Sequence, residues 1–463
     1  MHASSPVELA VPTRAGITGP VRGPDPARLR RGVGIAVVAA VVGVAAARFF
    51  APDHPAPVPR PEATSLAPPA QVAALERKVG DHPDNVSAWQ QLGVAYTRDA
   101  IRTADPSLYG AATTAFDRAD ALEPGAADTL VGRGVLSLTL HRFDEALTLG
   151  EQAHRANPFD PDALAVMVDA SVETGRYDAA ATDLQALLDL RPGLAAFSRV
   201  SYLRELNGDV TGASEALSQA ETAGSGATFD LASVISLEGD LAFNHGDLAG
   251  ALRQYDRALA LSPDVVLARI GRARVLAARG RLDDAIADLV ELTERYPVAT
   301  AVSLLGDLQA AAGRIHDAAR SYDLVRTIST LQQASGAVTD LEMAVFEADH
   351  GGRAAITLAT AAYAARPTIY GADALAWALR QGGRSAEAVP YVEEALRLST
   401  HDALLHFHAA AVYADVGADE RARAELTVAF TVNPWFSFLH RADAADLAAR
   451  LGVATPDEWR SPS

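Results

Sequence analysis

ATTAFDRADALEP (112–124), ALTLGEQAHRANP (146–158) and AATDLQALLDLRP (180–192) are three copies of one pattern. Each opens on an alanine (Ala112, Ala146, Ala180) and keeps a small or apolar residue seven positions on (Ala119, Ala153, Leu187). Each closes on a proline, and Pro124, Pro158 and Pro192 stand 34 residues apart. A period of this length is one helix–turn–helix unit. Such a unit is too small to bury its own apolar face, so copies must stack in a one-dimensional array. The spacing therefore predicts an all-α solenoid.

The composition agrees. Of 463 residues, 49% are hydrophobic but only 6% aromatic, so the core is built from many small contacts and few large anchors. Alanine is abundant and is the best helix former. The chain has no cysteine, which excludes disulfides, thiolate nucleophiles and thiolate metal sites. Lys78 is the only lysine, and the bias to arginine and alanine fits a GC-rich bacterial genome. The net charge is −18, yet residues 1–60 hold seven arginines against Glu8, Asp25 and Asp53, so the remainder is more acidic still. Such a body repels a phosphate backbone, and nucleic acid is not an expected partner.

Residues 32–47 (GVGIAVVAAVVGVAAA) carry no charge. As a helix they span about 24 Å, and Phe49 and Phe50 extend the apolar length to Ala51 against a hydrocarbon core of about 30 Å. Arg28, Arg30 and Arg31 precede the run. The positive-inside rule then places residues 1–31 in the cytoplasm, a single-pass signal anchor at 32–51, and the body outside. A cleaved signal peptide ending near Ala45–Ala47 and a buried helix are the alternatives. Residues 52–70 are proline-rich. As a polyproline-type spacer they would reach about 60 Å and hold the body off the membrane surface.

Beyond residue 70 the pattern becomes specific. Trp89-x2-Leu92-Gly93-x2-Tyr96, then Ala112-x3-Phe116-x2-Ala119-x4-Pro124, resembles the tetratricopeptide repeat signature. The resemblance covers nearly all of the remaining chain. It implies about ten repeats, with a helix at Val72–Lys78 before them and a capping helix at Ala442–Leu451 after them. Extra residues around Asp99–Ser107 are expected to lengthen the first inter-helix loop. Pro390 should kink or shorten the second helix of the ninth repeat. A loose join after Ala220 and an insertion after Arg326 divide the body into blocks at 71–225, 226–326 and 327–451, followed by a tail at 452–463. Phe346–Gly351 (FEADHG) and Asn433–His440 (NPWFSFLH) resemble segments of a group of poorly characterised bacterial tetratricopeptide proteins, a resemblance that implies no activity.

In this family the first helix of each repeat lines the concave face. Carrying those inward positions onto this chain selects Asp169, Tyr202, Asp240, Arg274, Asp307 and Trp377, with Asp162, Glu173, Ser236, Asn244, Asp340, Asp373 and Arg380 on the same face. Carboxylates next to aromatic rings suit an extended peptide or a cationic segment. The other possibility is a groove that binds nothing or contacts another part of the chain. No G-x-S-x-G, phosphate-binding loop or G-x-G-x-x-G after a strand is present, so no catalysis, cofactor or metal is expected. The resulting expectation is a membrane-tethered scaffold or adaptor holding a protein or peptide in its groove. An extracytoplasmic chaperone for unfolded clients in envelope or cytochrome biogenesis is the second reading.

Overall fold

The computed structural model describes residues 70–459 apart from 225–227 and 353. The expected membrane anchor at 32–51 and the spacer ahead of residue 70 lie outside the described residues. Among those described are 22 α-helices, one 3-10 turn at Asp457–Trp459 and no strand, and no helix is long and apolar enough to cross a membrane.

After α1 (Ala70–Asp81) the helices fall into ten hairpin pairs, as the repeat count predicts. The first five are α2 (Val86–Thr103) with α3 (Ser107–Leu122), α4 (Ala127–Thr139) with α5 (Phe143–Ala156), α6 (Pro161–Glu173) with α7 (Tyr177–Leu190), α8 (Leu194–Leu206) with α9 (Val210–Ala223), and α10 (Thr228–Asn244) with α11 (Leu248–Leu261). The next five are α12 (Val266–Ala278) with α13 (Leu282–Arg295), α14 (Ala299–Ala311) with α15 (Ile315–Ala334), α16 (Asp340–Asp349) with α17 (Ala355–Ala365), α18 (Ile369–Gln381) with α19 (Ser385–Ala395), and α20 (Ala403–Asp415) with α21 (Asp419–Val432). A last helix, α22 (Arg441–Leu451), follows.

Local chemistry sets these boundaries. Asp160 caps α6 by accepting from the Asp162 amide, with Pro161 at the first helical position. Gly175 ends that helix at φ +73°, and the Arg176 amide closes the turn on the Ser171 carbonyl at 2.8 Å. Two expectations are corrected here. The extra residues at 99–107 do not lengthen the first loop: α2 runs on to Thr103 and α3 starts at Ser107, because no glycine or proline interrupts the stretch until Pro106. The insertion after Arg326 likewise prolongs α15 to 20 residues. Pro390 stays inside α19, which has 11 residues where α5, α7 and α21 have 14.

The packing rule inside the stack is one aromatic ring of a second helix lying on glycines of two first helices. Phe116 of α3 is 1% exposed. A Cβ built on Gly93 or Gly132 would stand 2.6 or 2.3 Å from its ring. Tyr255 of α11 sits in the same way against Gly239 and Gly271. Glycine lets the first helices approach, and the ring fills the crevice between pairs.

The stack then coils back on itself. The intra-pair turns of pairs two to five meet the inter-pair loops that follow pairs seven to ten. Arg142 Nε donates to Gly336 O at 2.8 Å and the Val338 amide to Leu140 O at 2.9 Å. The Ile369 amide donates to Tyr177 Oη at 3.2 Å. Gly175 touches Pro367, Gly208 touches Ser399 and Gly246 approaches Val432. The separations of the bonded pairs, such as 194 residues for Arg142–Gly336 and 192 for Tyr177–Ile369, repeat nearly the same step. The superhelix therefore completes a turn in fewer than six pairs, and its second turn seals onto its first.

Candidate functional site

Closure of the superhelix leaves an axial channel of about 1500 Å³. First helices supply most of its wall, from Arg98 on α2 through Tyr202 on α8 and Asp307 on α14 to Leu405 on α20. Twelve carboxylates line it against five guanidinium groups and three imidazoles. Apolar side chains such as Phe229, Ile270 and Trp435 lie between them.

Five of the six inward residues read from the sequence are on this wall: Asp169, Tyr202, Asp240, Arg274 and Asp307. Asp169 is held on both oxygens by Arg199, with Nε to Oδ1 at 2.7 Å and Nη2 to Oδ2 at 2.5 Å. Such a bidentate pair fixes the geometry of both side chains. Tyr202 is half-buried, and burial together with the nearby Glu173 pushes its phenol well up. Asp240 accepts from Tyr255 Oη at 2.7 Å and lies 3.9 Å from Arg274 Nη1. The Arg274 guanidinium stands over the Phe243 ring, 4.0 Å from its centroid. Burial outweighs both partners of Asp240, so its carboxyl is pushed up to about 6. Asp307 accepts from Tyr322 Oη at 3.0 Å, with His350 Nε2 at 3.4 Å. It is raised as well, burial again being the larger cause.

Trp377 stands apart. It is 1% exposed, behind the wall in the core of pairs eight to ten. Its Nε1 donates to Asp349 Oδ1 at 2.7 Å, and its ring stacks on His408 at 3.9 Å. The large apolar ring is better placed in the core than on a wet wall, provided the indole N–H finds an acceptor.

Other wall residues carry equal weight. Glu205 lies 3.4 Å from Asn244 Nδ2, and burial pushes its carboxyl up to about 7. It sits one turn past Tyr202 on the same helix face, which was its signal in the sequence. Asp349 pairs with His440 at 2.9 Å, and Asp373 holds His408 at 3.0 Å. At the seam, Glu342 meets His141 Nδ1 at 3.3 Å and Arg366 Nη1 at 3.5 Å, while Arg366 also pairs with Glu173. Partners this far apart in sequence leave no local signal. Among the described residues no group of three or more histidines or carboxylates is placed to hold a metal ion.

A family model described as tetratricopeptide repeat matches residues 166–228, 236–297 and 280–330. Over these stretches, about a third of the chain, the sequence is similar to tetratricopeptide repeats. The same paired-helix geometry continues on both sides of them. No curated protein matches the chain. Among solved structures, the human IFIT1 dimer with m7Gppp-AAAA aligns over 71% of this chain and 76% of its own, at 16% identity and a TM-score of 0.46. A tetratricopeptide repeat protein from Parabacteroides merdae aligns over 53% of this chain and 98% of its own, at 16% identity and a TM-score of 0.36. Yeast Tom70 aligns over 82% of this chain and 84% of its own, at 13% identity and a TM-score of 0.36. These likenesses concern the helical-repeat fold and carry nothing about ligands.

Proposed function

We propose that this protein is a non-enzymatic tetratricopeptide scaffold whose channel holds a cationic segment of a partner protein. Residues 32–51 anchor it in the cytoplasmic membrane, with the repeat body on the far side. The observation that carries the binding reading is the surplus of carboxylates on the channel wall, twelve against five guanidinium groups. Glu205 and Asp240 are pushed up to about 7 and about 6, burial being the main cause in both. A carboxylate raised in this way has too little positive charge around it. A lysine, an arginine or an amino terminus delivered by a partner supplies that charge. The same surplus opposes nucleic acid. The anchor is supported by the uncharged run at 32–47 and the arginines ahead of it.

The binding test titrates a labelled nona-arginine peptide into the full chain. Glu205→Gln with Asp240→Asn should weaken binding about tenfold, which is 1.4 kcal/mol. The control pair is Asp283→Asn with Asp144→Asn, whose side chains are 83% and 69% exposed. Equal weakening by the control would reduce the binding to surface charge and remove the reading. For the anchor, single cysteines placed after residue 60 in this cysteine-free chain should react with a membrane-impermeant thiol reagent in intact cells. Reaction only after lysis would reverse the orientation.

A further inference from the structure

Between α21 and α22 the chain runs through eight non-helical residues, Asn433–His440. This segment enters the channel, and Asn433 and all of Trp435–His440 line it. Its side chains reach both superhelical turns. Trp435, 9% exposed, joins the apolar cluster built by the fifth and sixth pairs, with Phe243 and Val265. Phe438 packs on that cluster and on the next one, built by pairs six and seven. Phe436 faces the other way, into the core of pairs eight to ten, with its ring 5.1 Å from that of Phe407. His440 Nε2 lies 2.9 Å from Asp349 Oδ1, the oxygen that also accepts from Trp377.

The amides of the segment are bonded locally, and Pro434 O accepts from Trp459 Nε1 of the 3-10 turn at 3.0 Å. The Trp435 amide donates to Asn433 Oδ1 at 2.9 Å, the Phe436 amide to Asn433 O at 3.3 Å, and the His440 amide to Ser437 Oγ at 3.1 Å. Side chains therefore make the grip on the channel wall. That is how a bound peptide sits in a groove: extended or irregular backbone, aromatic anchors, and one cation on a buried carboxylate. His440 plays the cation. Burial pushes its imidazole down, but Asp349 and then Asp443, 3.5 Å from Nδ1, together outweigh burial and hold it up at about 9, so it is charged at neutral pH.

We infer that Asn433–His440 is a resident occupant of the channel, and that the partner segment that displaces it carries the same aromatic–x–aromatic–x–cation pattern as Phe436, Phe438 and His440. This rests on the reading that the channel takes a protein segment, and it names the class of segment. Release of the segment takes the cation from Asp349, which keeps its bond from Trp377, and uncovers the apolar faces beside Phe243 and Phe407.

The test uses a labelled octapeptide copying residues 433–440, added to the wild-type full chain and to Phe438→Ala/His440→Gln. The variant loosens the resident segment and leaves the wall intact, so it should bind the octapeptide at least about tenfold more tightly than wild type does. An octapeptide with glutamate in place of its histidine should lose that gain. Equal binding by both proteins, with the helical signal and melting of the variant intact, overturns the inference. If the double variant melts early, His440→Gln alone replaces it. Hydrogen exchange at residues 435–440 of wild type under excess octapeptide then gives a second readout: faster exchange supports displacement, and unchanged protection overturns it. Octapeptide failure with nona-arginine still bound sinks this inference alone; failure of both peptides removes the channel reading too.

Discussion

Gly175 lies directly against the carbonyl oxygen of Pro367 on the next superhelical turn, and a Cβ built on it would stand 2.4 Å from that oxygen. Gly208 meets Ser399 O in the same way at 2.5 Å. Both glycines also sit at positive φ, +73° and +74°. Gly313 has φ +72° but nothing within 4 Å of its Cβ direction. The three positions therefore separate two demands on glycine, the left-handed turn and the close approach of two turns.

Gly313→Ala should lose only the strain of a left-handed alanine, about 1–2 kcal/mol. Gly175→Ala should lose that plus the cost of forcing backbone away from backbone, about 1–3 kcal/mol more. Denaturant melts of both variants measure the difference. Equal losses would mean that the seam yields freely and contributes little to stability.

The comparison also shows what sequence carries. The prolines at a 34-residue step, the glycine turns and the Asp160–Pro161 cap act within a few residues, so the ten pairs and their order were legible. The inward register was legible as well, because one helix face repeats from pair to pair; Asp169, Asp240 and Asp307 fell on the channel wall for that reason. The seam was not. Glycine at 175 and at 313 looks alike in sequence, since the turn alone requires it at both places. Trp377 reads as inward by register, yet its ring is drawn behind the wall by His408 and by Asp349, which accepts its indole N–H. Asn433–His440 could be noticed as aromatic, but its entry into the channel depends on the coiling of the whole stack.

The aromatic-on-glycine packing gives a second prediction. Phe116→Ala removes a ring that is 1% exposed and should cost about 3–5 kcal/mol. Gly132→Ala pushes a methyl to within 2.3 Å of the same ring and should cost about 1–3 kcal/mol. The two changes share one crevice, so the double variant should lose less than the sum, the new methyl partly filling the space that the ring vacates. Strict additivity in thermal melts would show that Phe116 does not bridge the first two pairs.

Asp240 gives a third. Burial first of all, against Arg274 and Tyr255, raises its carboxyl from 3.8 to about 6. A raised acid binds its proton more tightly folded than unfolded, so its contribution to stability falls as pH rises from about 4 to about 6, and is least favourable above that. Asp240→Asn should therefore stabilise the ligand-free protein at pH 8 by about 1–3 kcal/mol and give no gain at pH 4. The same reasoning applied to Glu205, at about 7, makes binding of a cationic peptide weaken as pH drops from 8 to 5. Urea melts and peptide titrations across that range check both. A stability gain that is the same at pH 4 and pH 8 would mean that Asp240 is not charged in the resting channel.

Glu342 works with the opposite sign. Burial alone would raise it, but His141 and then Arg366 outweigh burial and hold its carboxyl down at about 2, below its ordinary 4.5. A depressed carboxylate contributes stability that is present in full above about 4.5 and is lost as pH falls towards 2. Glu342 joins α16 on the second turn to His141 on the first, so what acid removes is a bond across the seam. Glu342→Gln should cost about 3 kcal/mol at pH 7 and almost nothing near pH 2. The local readout is the Val338 amide, which bonds to Leu140 O across the same seam at 2.9 Å. Its hydrogen exchange should quicken in wild type below pH 4, after correction for the intrinsic pH dependence, and should already be quick in the variant at pH 7. A Val338 amide equally protected in both proteins would place the hold between the two turns in the backbone contacts at Gly175 and Gly208, and not in this buried charge.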